Sequence, residues 1–284
     1  MSLVVRRPGP LSLVEDAGRP GHGAVGVSPS GAADRGSFAA GARLVGNDPA
    51  RHAAIETTLG GLVVEAAGQL RVALTGAPCP AAVDGRPVSW GQAFVLEAGQ
   101  VLALGQPRAG LRSYLSLAGG IDVAPVLGSR STDVLSGLGP PRLFPGMVLP
   151  VGGEGGWSGP ALPEPHDEAT ATTILRILPG PRTDWLDDLE PLTSTWQVSP
   201  DSNRIGIRLI GSTLVRKLSR SGELPSEPLV RGAMQLTPSG QPVIFGPDHP
   251  TTGGYPVIAV LTEAASDLLA QCRPGDLVTL AWRG

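Results

Sequence analysis

Short runs in which aliphatic and polar residues alternate, each closed by Gly, Pro or Asp-Gly, dominate the first half of the chain. LVVEA (62–66), LRVALTG (70–76), AFVLEAG (93–99), VLALG (101–105) and SYLSLAGG (113–120) are of this kind. A period of two, bounded by turn residues, predicts strands with one face buried. In AAVDGRPV (81–88) the Asp84-Gly85 step between two strand-like arms predicts a two-residue hairpin turn. One segment changes period. In DRGSFAAGARLVGN (34–47) Phe38, Ala42 and Val45 recur at helical spacing, with Asp34 placed to cap the first turn.

GGEGGWSGPALPEPHDEATA (152–171) interrupts this texture with Gly, Pro and acids and no apolar periodicity, which predicts a connecting segment. The expected organisation is an N-terminal barrel subdomain over 1–152, a linker over 153–171 and a C-terminal subdomain over 172–284. Beyond the linker, TILRILPG, TWQVS, IRLIG, AMQLTPSGQPVIFG and YPVIAVLT read as strands, with PSG as a tight turn. EAASDLLAQC (263–272) reads as a helix before a closing strand, DLVTLAW. Three similar phrases, AGQVLALG, PGMVLPVG and PGDLVTLA, occur across the two halves and hint at related barrels.

Composition sharpens the fold class. With 40 Gly and 29 Pro in 284 residues, a helical bundle is excluded and a mostly β protein with a few short helices is expected. The formal net charge of −3, with basic residues scattered, argues against nucleic-acid binding and against recruitment to an anionic membrane. Cys79 and Cys272 lie far apart without metal-ligand spacing and read as two reduced thiols. MSLVVRRPGPLSLVEDAGRPG lacks the apolar stretch of a signal peptide and no run approaches a membrane span, so a cytoplasmic location is expected.

The common chemical signatures are missing. Lys217, the only lysine, sits in STLVRKLS with no glycine before it, so there is no P-loop. GVSPSGAAD fails the nucleophile-elbow spacing. His22, His52, His166 and His249 are too dispersed to define a metal site, and none is expected. What remains is a set of polar glycine-rich loops: EDAGRPGHG (15–23), SPSGAADR (28–35), GSRST (128–132), SPDSNRIGIR (199–208) and DHPTTGGYP (248–256). Glycine permits backbone N–H groups to approach an anion or oxyanion closely. The plainer reading is that each is a turn whose Asp and Ser bond their own backbone.

The order of these loops carries a resemblance. VEDAGRPGHGAVGVSPSGAAD, ARLVGNDPARHAAIETTLGG, ALTGAP, GLRSYLSLAGGIDVAPVLGSRST, LPGPRTDW, SNRIGIRLIG, GAMQLTPSGQPVIFGPDHPTTGGYP and RPGDLVTL follow one another as in the biotin-dependent carboxyltransferase family. That family includes KipA, allophanate hydrolase subunit 2 and the third component of 5-oxoprolinase (PxpC). The resemblance implies two cyclophilin-like β-barrel subdomains acting with a KipI- or PxpB-like sister subunit. In the oxoprolinase group, with a further, PxpA-like subunit, the complex opens the 5-oxoproline lactam to glutamate at the expense of ATP. In urea carboxylase the related domain moves a carboxyl group from biotin to urea. KipA itself implies a third possibility, a non-catalytic antagonist of a KipI-like kinase inhibitor. No biotin-attachment motif is present, so biotin would arrive on another chain. Asn203 and Ile207 stand where the family commonly has an acid and an aromatic, and Met147 where an acid is usual.

Candidate site residues follow from chemistry. The N–H groups of Gly253 and Gly254 and the hydroxyls of Thr251 and Thr252 suit a developing oxyanion. Asp248 or His249 is expected to move a proton, and Tyr255 to orient the substrate. Ser28, Ser30 and Asp34 are further substrate-binding candidates, although Ser30 and Asp34 also suit helix capping. Arg130, Arg204 and Arg208 suit a carboxylate or phosphate, or ordinary ion pairs. On this reading Asp248→Ala abolishes turnover without unfolding.

Overall fold

A computed structural model of the chain describes residues 1–153, 172–217, 219 and 224–284. The expected linker, 153–171, lies outside the described residues except for Gly153. The described chain forms two units. The first comprises Met1–Arg19, Ser30–Asp133 and residues 137–153. The second comprises Pro20–Pro29, Val134–Ser136 and the described residues from 172 to 284.

Two sheets build the first unit. Its elements are β1 (Ser2–Pro8), β2 (Leu11–Glu15), α1 (Arg35–Leu44), β3 (Ala54–Thr58), β4 (Leu62–Ala66), β5 (Leu70–Gly76), β6 (Ala81–Val83), β7 (Arg86–Pro87), β8 (Ala93–Leu96), β9 (Val101–Leu104), β10 (Arg112–Leu117) and β11 (Val148–Pro150). One sheet runs β11-β1-β4-β9-β6-β7 and the other β2-β3-β10-β5-β8. Leu3, Val5, Leu62, Val64, Leu102 and Leu104 from the first interleave with Val14, Ile55, Val72, Leu74 and Leu115 from the second in one core. Each such aliphatic side chain contributes about 1.5–3 kcal/mol by leaving water. β10 is buried along its whole length because α1 packs on the face that the core does not cover. The helix begins as expected, with Asp34 accepting from the Ser37 N–H at 2.9 Å. The Asp84-Gly85 hairpin forms between β6 and β7, both turn residues having positive φ, 49° and 78°.

The second unit is a closed barrel. It contains β12 (Thr173–Pro179), β13 (Thr195–Val198), β14 (Gly206–Ile210), β15 (Glu227–Pro228), β16 (Ala233–Leu236), β17 (Pro242–Phe245), β18 (Thr252–Gly253), β19 (Val257–Leu261), α2 (Glu263–Ala270) and β20 (Leu277–Trp282). Seven strands close in the order β12-β19-β16-β17-β14-β13-β20, and the parallel pairing of β12 with β20, Leu175 opposite Leu280, completes the circle. Inward positions alternate cleanly, as in β14, where Ile207 and Leu209 are buried and Arg208 faces out. Trp196 fills the interior and donates its indole N–H to the Leu192 carbonyl at 3.1 Å. β15 and β18 form a separate two-stranded ribbon.

The three similar phrases share a local cause. In each, a glycine with φ of 85°, 85° and 92° (Gly99, Gly146, Gly275) occupies the third position of a turn. The turns are closed by Gln100 N–H to Glu97 O, Met147 N–H to Phe144 O and Asp276 N–H to Arg273 O, at 3.0, 3.1 and 3.0 Å. This is the type II turn, with Pro or Ala second and Gly third. The same turn chemistry feeding β9, β11 and β20 accounts for the echo without any further cause.

No described helix is long and apolar enough to cross a membrane. The mostly β class, with two α-helices among the described residues, is the one expected.

Candidate functional site

In the second unit, the loop 248–256 divides into a buried head and an exposed tail. Asp248 is fully buried and grips the equally buried Arg204 with both oxygens, Nε to Oδ2 at 2.8 Å and Nη2 to Oδ1 at 3.2 Å. Oδ2 also accepts the Val134 N–H at 3.2 Å. The planar fork of a guanidinium matches a carboxylate in this bidentate way. Asp248 and Arg204, expected as a proton carrier and a substrate ligand, are thus bound to each other.

His249 is buried beside Phe245, and its Nδ1 lies 2.8 Å from the Pro250 carbonyl. A carbonyl only accepts, so Nδ1 carries the hydrogen and Nε2 is the basic nitrogen of the neutral ring.

The tail forms the ribbon. Thr252 faces Pro228 and Gly253 faces Glu227. Leu229 N–H donates to the Thr251 carbonyl at 2.9 Å, which marks that pair as hydrogen-bonded. In an antiparallel ladder the pair types alternate, so Gly253 falls at a bonded position and Pro228, which has no N–H, at a non-bonded one. The Gly253 N–H is therefore turned toward β15. Gly254, one residue beyond the ladder, is exposed, as are Thr252 and Tyr255.

The ribbon is clamped to the barrel at both ends. Arg182 forks onto Glu227, with Nε 3.2 Å from Oε2, and its guanidinium lies 5.6 Å from the ring centroid of Trp185. This pairing holds the Glu227 carboxyl below the usual range and pushes Arg182 up. At the other end Gln235 of β16 donates its amide Nε2 to the Tyr255 carbonyl at 2.8 Å. Ser28 is buried in this unit, and Arg208 is exposed on the outer face of β14.

A different polar cluster organises the first unit. Asp16 is almost wholly buried at the end of β2. Its Oδ1 accepts the Gly18 N–H at 2.8 Å and the hydroxyls of Ser129 and Ser131, each at 2.6 Å. Its Oδ2 accepts the Arg130 N–H, also at 2.6 Å. The loop GSRST is therefore folded onto one carboxylate. This turns the Arg130 side chain to Asp122 at 2.8 Å and to the Val123 carbonyl at 2.9 Å. Ser30, at positive φ, places its Oγ 3.4 Å from the Thr132 carbonyl.

Behind the start of α1, Tyr114 donates to Glu56 at 2.7 Å and accepts the Asp34 N–H at 2.8 Å. Glu56 also accepts the Ala33 N–H at 2.9 Å and pairs with Arg112 at 3.4 Å. Burial first, and then the charges of Glu56 and Asp34, push the Tyr114 phenol well above its usual value, so it remains a donor. Asp34 caps α1 here, with Oδ2 taking the Ser37 hydroxyl at 2.6 Å.

Within the second unit the structure thus brings together Asp248, Arg204, His249 and residues 251–255. Within the first unit Ser30, Asp34 and Arg130 each engage partners of their own. Asp16, Glu56, Tyr114, Arg182, Glu227 and Gln235 were not anticipated. The signal for several of them was a polar residue at an inward strand position, in LSLVE, AIETT and AMQL. Among the described residues no group of three or more His, Cys, Asp and Glu is placed to hold a metal ion.

Comparison with known proteins assigns the family. The profile described as carboxyltransferase domain, subdomain A and B, matches residues 25–282. The chain belongs to this carboxyltransferase domain family. It is 41% identical over 288 residues to the PxpC-type component of Escherichia coli 5-oxoprolinase, a match that covers 96% of this chain and 89% of that protein. It is 32% identical over 304 residues to the urea amidolyase of Saccharomyces cerevisiae, covering 98% of this chain but 16% of the much longer relative. Among solved structures, the Kluyveromyces lactis urea amidolyase superposes with a TM-score of 0.93 at 28% identity, over all of this chain and 19% of that one. The carboxyltransferase fold is thus shared by a protein of nearly this length and by one segment of far larger enzymes.

Proposed function

We propose that this chain is a subunit of an ATP-dependent 5-oxoprolinase complex that opens the lactam of 5-oxoproline to glutamate. The observation that carries the proposal is the end-to-end match to the E. coli oxoprolinase component, 41% identical over 89% of its length. The match to urea amidolyase is lower in identity and restricted to one part of that enzyme. The partners are proposed to be a KipI- or PxpB-like sister subunit and a PxpA-like third subunit, in the cytoplasm. Lys217 is engaged by the Asp184 carbonyl at 2.8 Å, so ATP is assigned to the partner chains and no step on this chain runs through it.

In the reaction the ring C–N bond breaks, a water oxygen joins the carbonyl carbon, and the ring nitrogen gains a proton to become the amino group. The exposed N–H of Gly254 and the hydroxyls of Thr251 and Thr252 hold the carbonyl oxygen as it gains charge. His249 transfers the proton through Nε2, with a ring whose ordinary pKa, about 6.5, suits neutral pH. The buried Arg204–Asp248 pair holds the backbone on which His249 sits. Tyr255 borders the ligand. Ser28, Ser30, Asp34, Arg130 and Arg208 are proposed to shape or flank the loops.

The test is reconstitution of the chain with both partner subunits, followed by measurement of glutamate release from 5-oxoproline with and without ATP. ATP-dependent glutamate is expected. Failure to release it, together with carboxyl transfer to urea when biotin carboxylase and carrier are supplied, would favour the carboxyltransferase reading instead.

A further inference from the structure

We infer that Gln235 is a specificity-determining residue whose side-chain oxygen accepts the N–H of a lactam or amide substrate, an inference that rests on the function proposed above. Gln235 projects from β16 and is 4% exposed. Its carboxamide has a fixed sense. The Tyr255 carbonyl, 2.8 Å away, only accepts, so Nε2 points there and Oε1 points elsewhere. Oε1 has no hydrogen-bond partner among the described residues, and it is not among the side-chain atoms sealed from solvent. A buried amide oxygen left without a donor is costly, and such groups are usually paired.

The surroundings suit a ligand. Gly253 lies directly over the carboxamide. A Cβ at that position would stand 2.6 Å from Gln235 Nε2, 3.1 Å from Oε1 and 2.9 Å from Leu229 Cδ1. Any other residue at 253 would push the amide out of place, so glycine here preserves the orientation of the acceptor. The next residue in the ribbon, Gly254, has only the Leu224 carbonyl within 4 Å of such a position and is open.

A buried acceptor thus lies beneath an exposed backbone donor on one short ribbon. Ring closure in a lactam forces N–H and C=O to the same side, so an acceptor and a donor set close together read both at once. An ester or lactone of the same shape offers oxygen in place of N–H. It would bring two acceptors together, a mismatch that sites built to bond an N–H penalise strongly.

The inference is tested on the assembled complex with 5-oxoproline and with its lactone counterpart, in which ring oxygen replaces N–H. Binding is measured by calorimetry and glutamate release by KM and kcat. Wild type is expected to bind the lactam at least about tenfold more tightly than the lactone, and Gln235→Met to erase most of that ratio by raising the lactam KM while changing lactone affinity by less than about twofold. A parallel loss for both ligands would show a merely structural residue and overturn the inference. Equal binding of both ligands by wild type would overturn it without any variant. Preferential lactam binding without glutamate release would uphold the role of Gln235 and remove the oxoprolinase reading. Failure to bind either ligand would remove both.

Discussion

Replacing Asp248 by alanine is expected to destabilise the second unit, in contrast to the expectation from sequence that only turnover would suffer. The carboxylate is fully buried and supplies two hydrogen bonds to Arg204, at 2.8 and 3.2 Å, and a third to the Val134 N–H at 3.2 Å. Removing one member of a buried pair leaves the other charge poorly compensated in a medium of low polarity, at a cost of about 3–5 kcal/mol. For a protein of this size that corresponds to a fall in Tm on the order of 10 °C. Asp248→Asn keeps the shape and one acceptor and should cost roughly half as much. The double change Arg204→Met with Asp248→Leu should recover most of the loss, because well-packed apolar residues often match or exceed a buried ion pair. Denaturant unfolding of the three variants, followed by tryptophan fluorescence, reads the series; Trp196 lies in the same barrel core. A cost below about 1 kcal/mol for Asp248→Ala, the range of exposed pairs, would refute the buried pairing and return Asp248 to the candidate proton carriers.

Two further outcomes are expected. Tyr114→Phe removes one hydrogen bond from Glu56 and one from the Asp34 N–H, and should lower stability by about 1–3 kcal/mol in the same unfolding assay; an unchanged midpoint would contradict the network at the start of α1. The Arg182 partner depresses the Glu227 pKa, so the stabilisation it gives the ribbon is fully present above the ordinary Glu value, about 4.3, and is lost as pH falls through the lower folded value. Amide exchange at Leu229, corrected for intrinsic rates, should therefore lose protection between neutral pH and about pH 3, whereas equal protection at both would show that the Arg182–Glu227 clamp does not hold the ribbon.

Most of the barrel was legible because its strands are two-faced. TILRILPG, IRLIG and DLVTLAW place every second residue in the core and the others in water, so the period of two survives in the sequence. β2 and β3 went unread for the opposite reason. Ser12, Glu15, Glu56 and Thr57 are polar yet buried, so neither strand alternates between apolar and polar. The polar clusters were legible only as residue types. Nothing near Asp16 in sequence announces that its partners lie at 129–131, or near Asp248 that its guanidinium comes from residue 204. Gln235 is the clearest case. In AMQL it reads as the outward residue of a strand, and only the Tyr255 carbonyl fixes the direction of its amide. The tail of DHPTTGGYP was read for its glycines, and the ladder then separated their roles, with Gly253 packed against Gln235 and Gly254 open.

The most direct test follows the carbonyl carbon itself. With 5-oxoproline carrying carbon-13 at the lactam carbonyl, NMR of the complex with ATP should show that resonance replaced by the side-chain carboxylate of glutamate, at a rate that collapses when this chain is left out. An intact lactam signal in the complete mixture, under conditions where the same proteins carboxylate urea, would contradict the account.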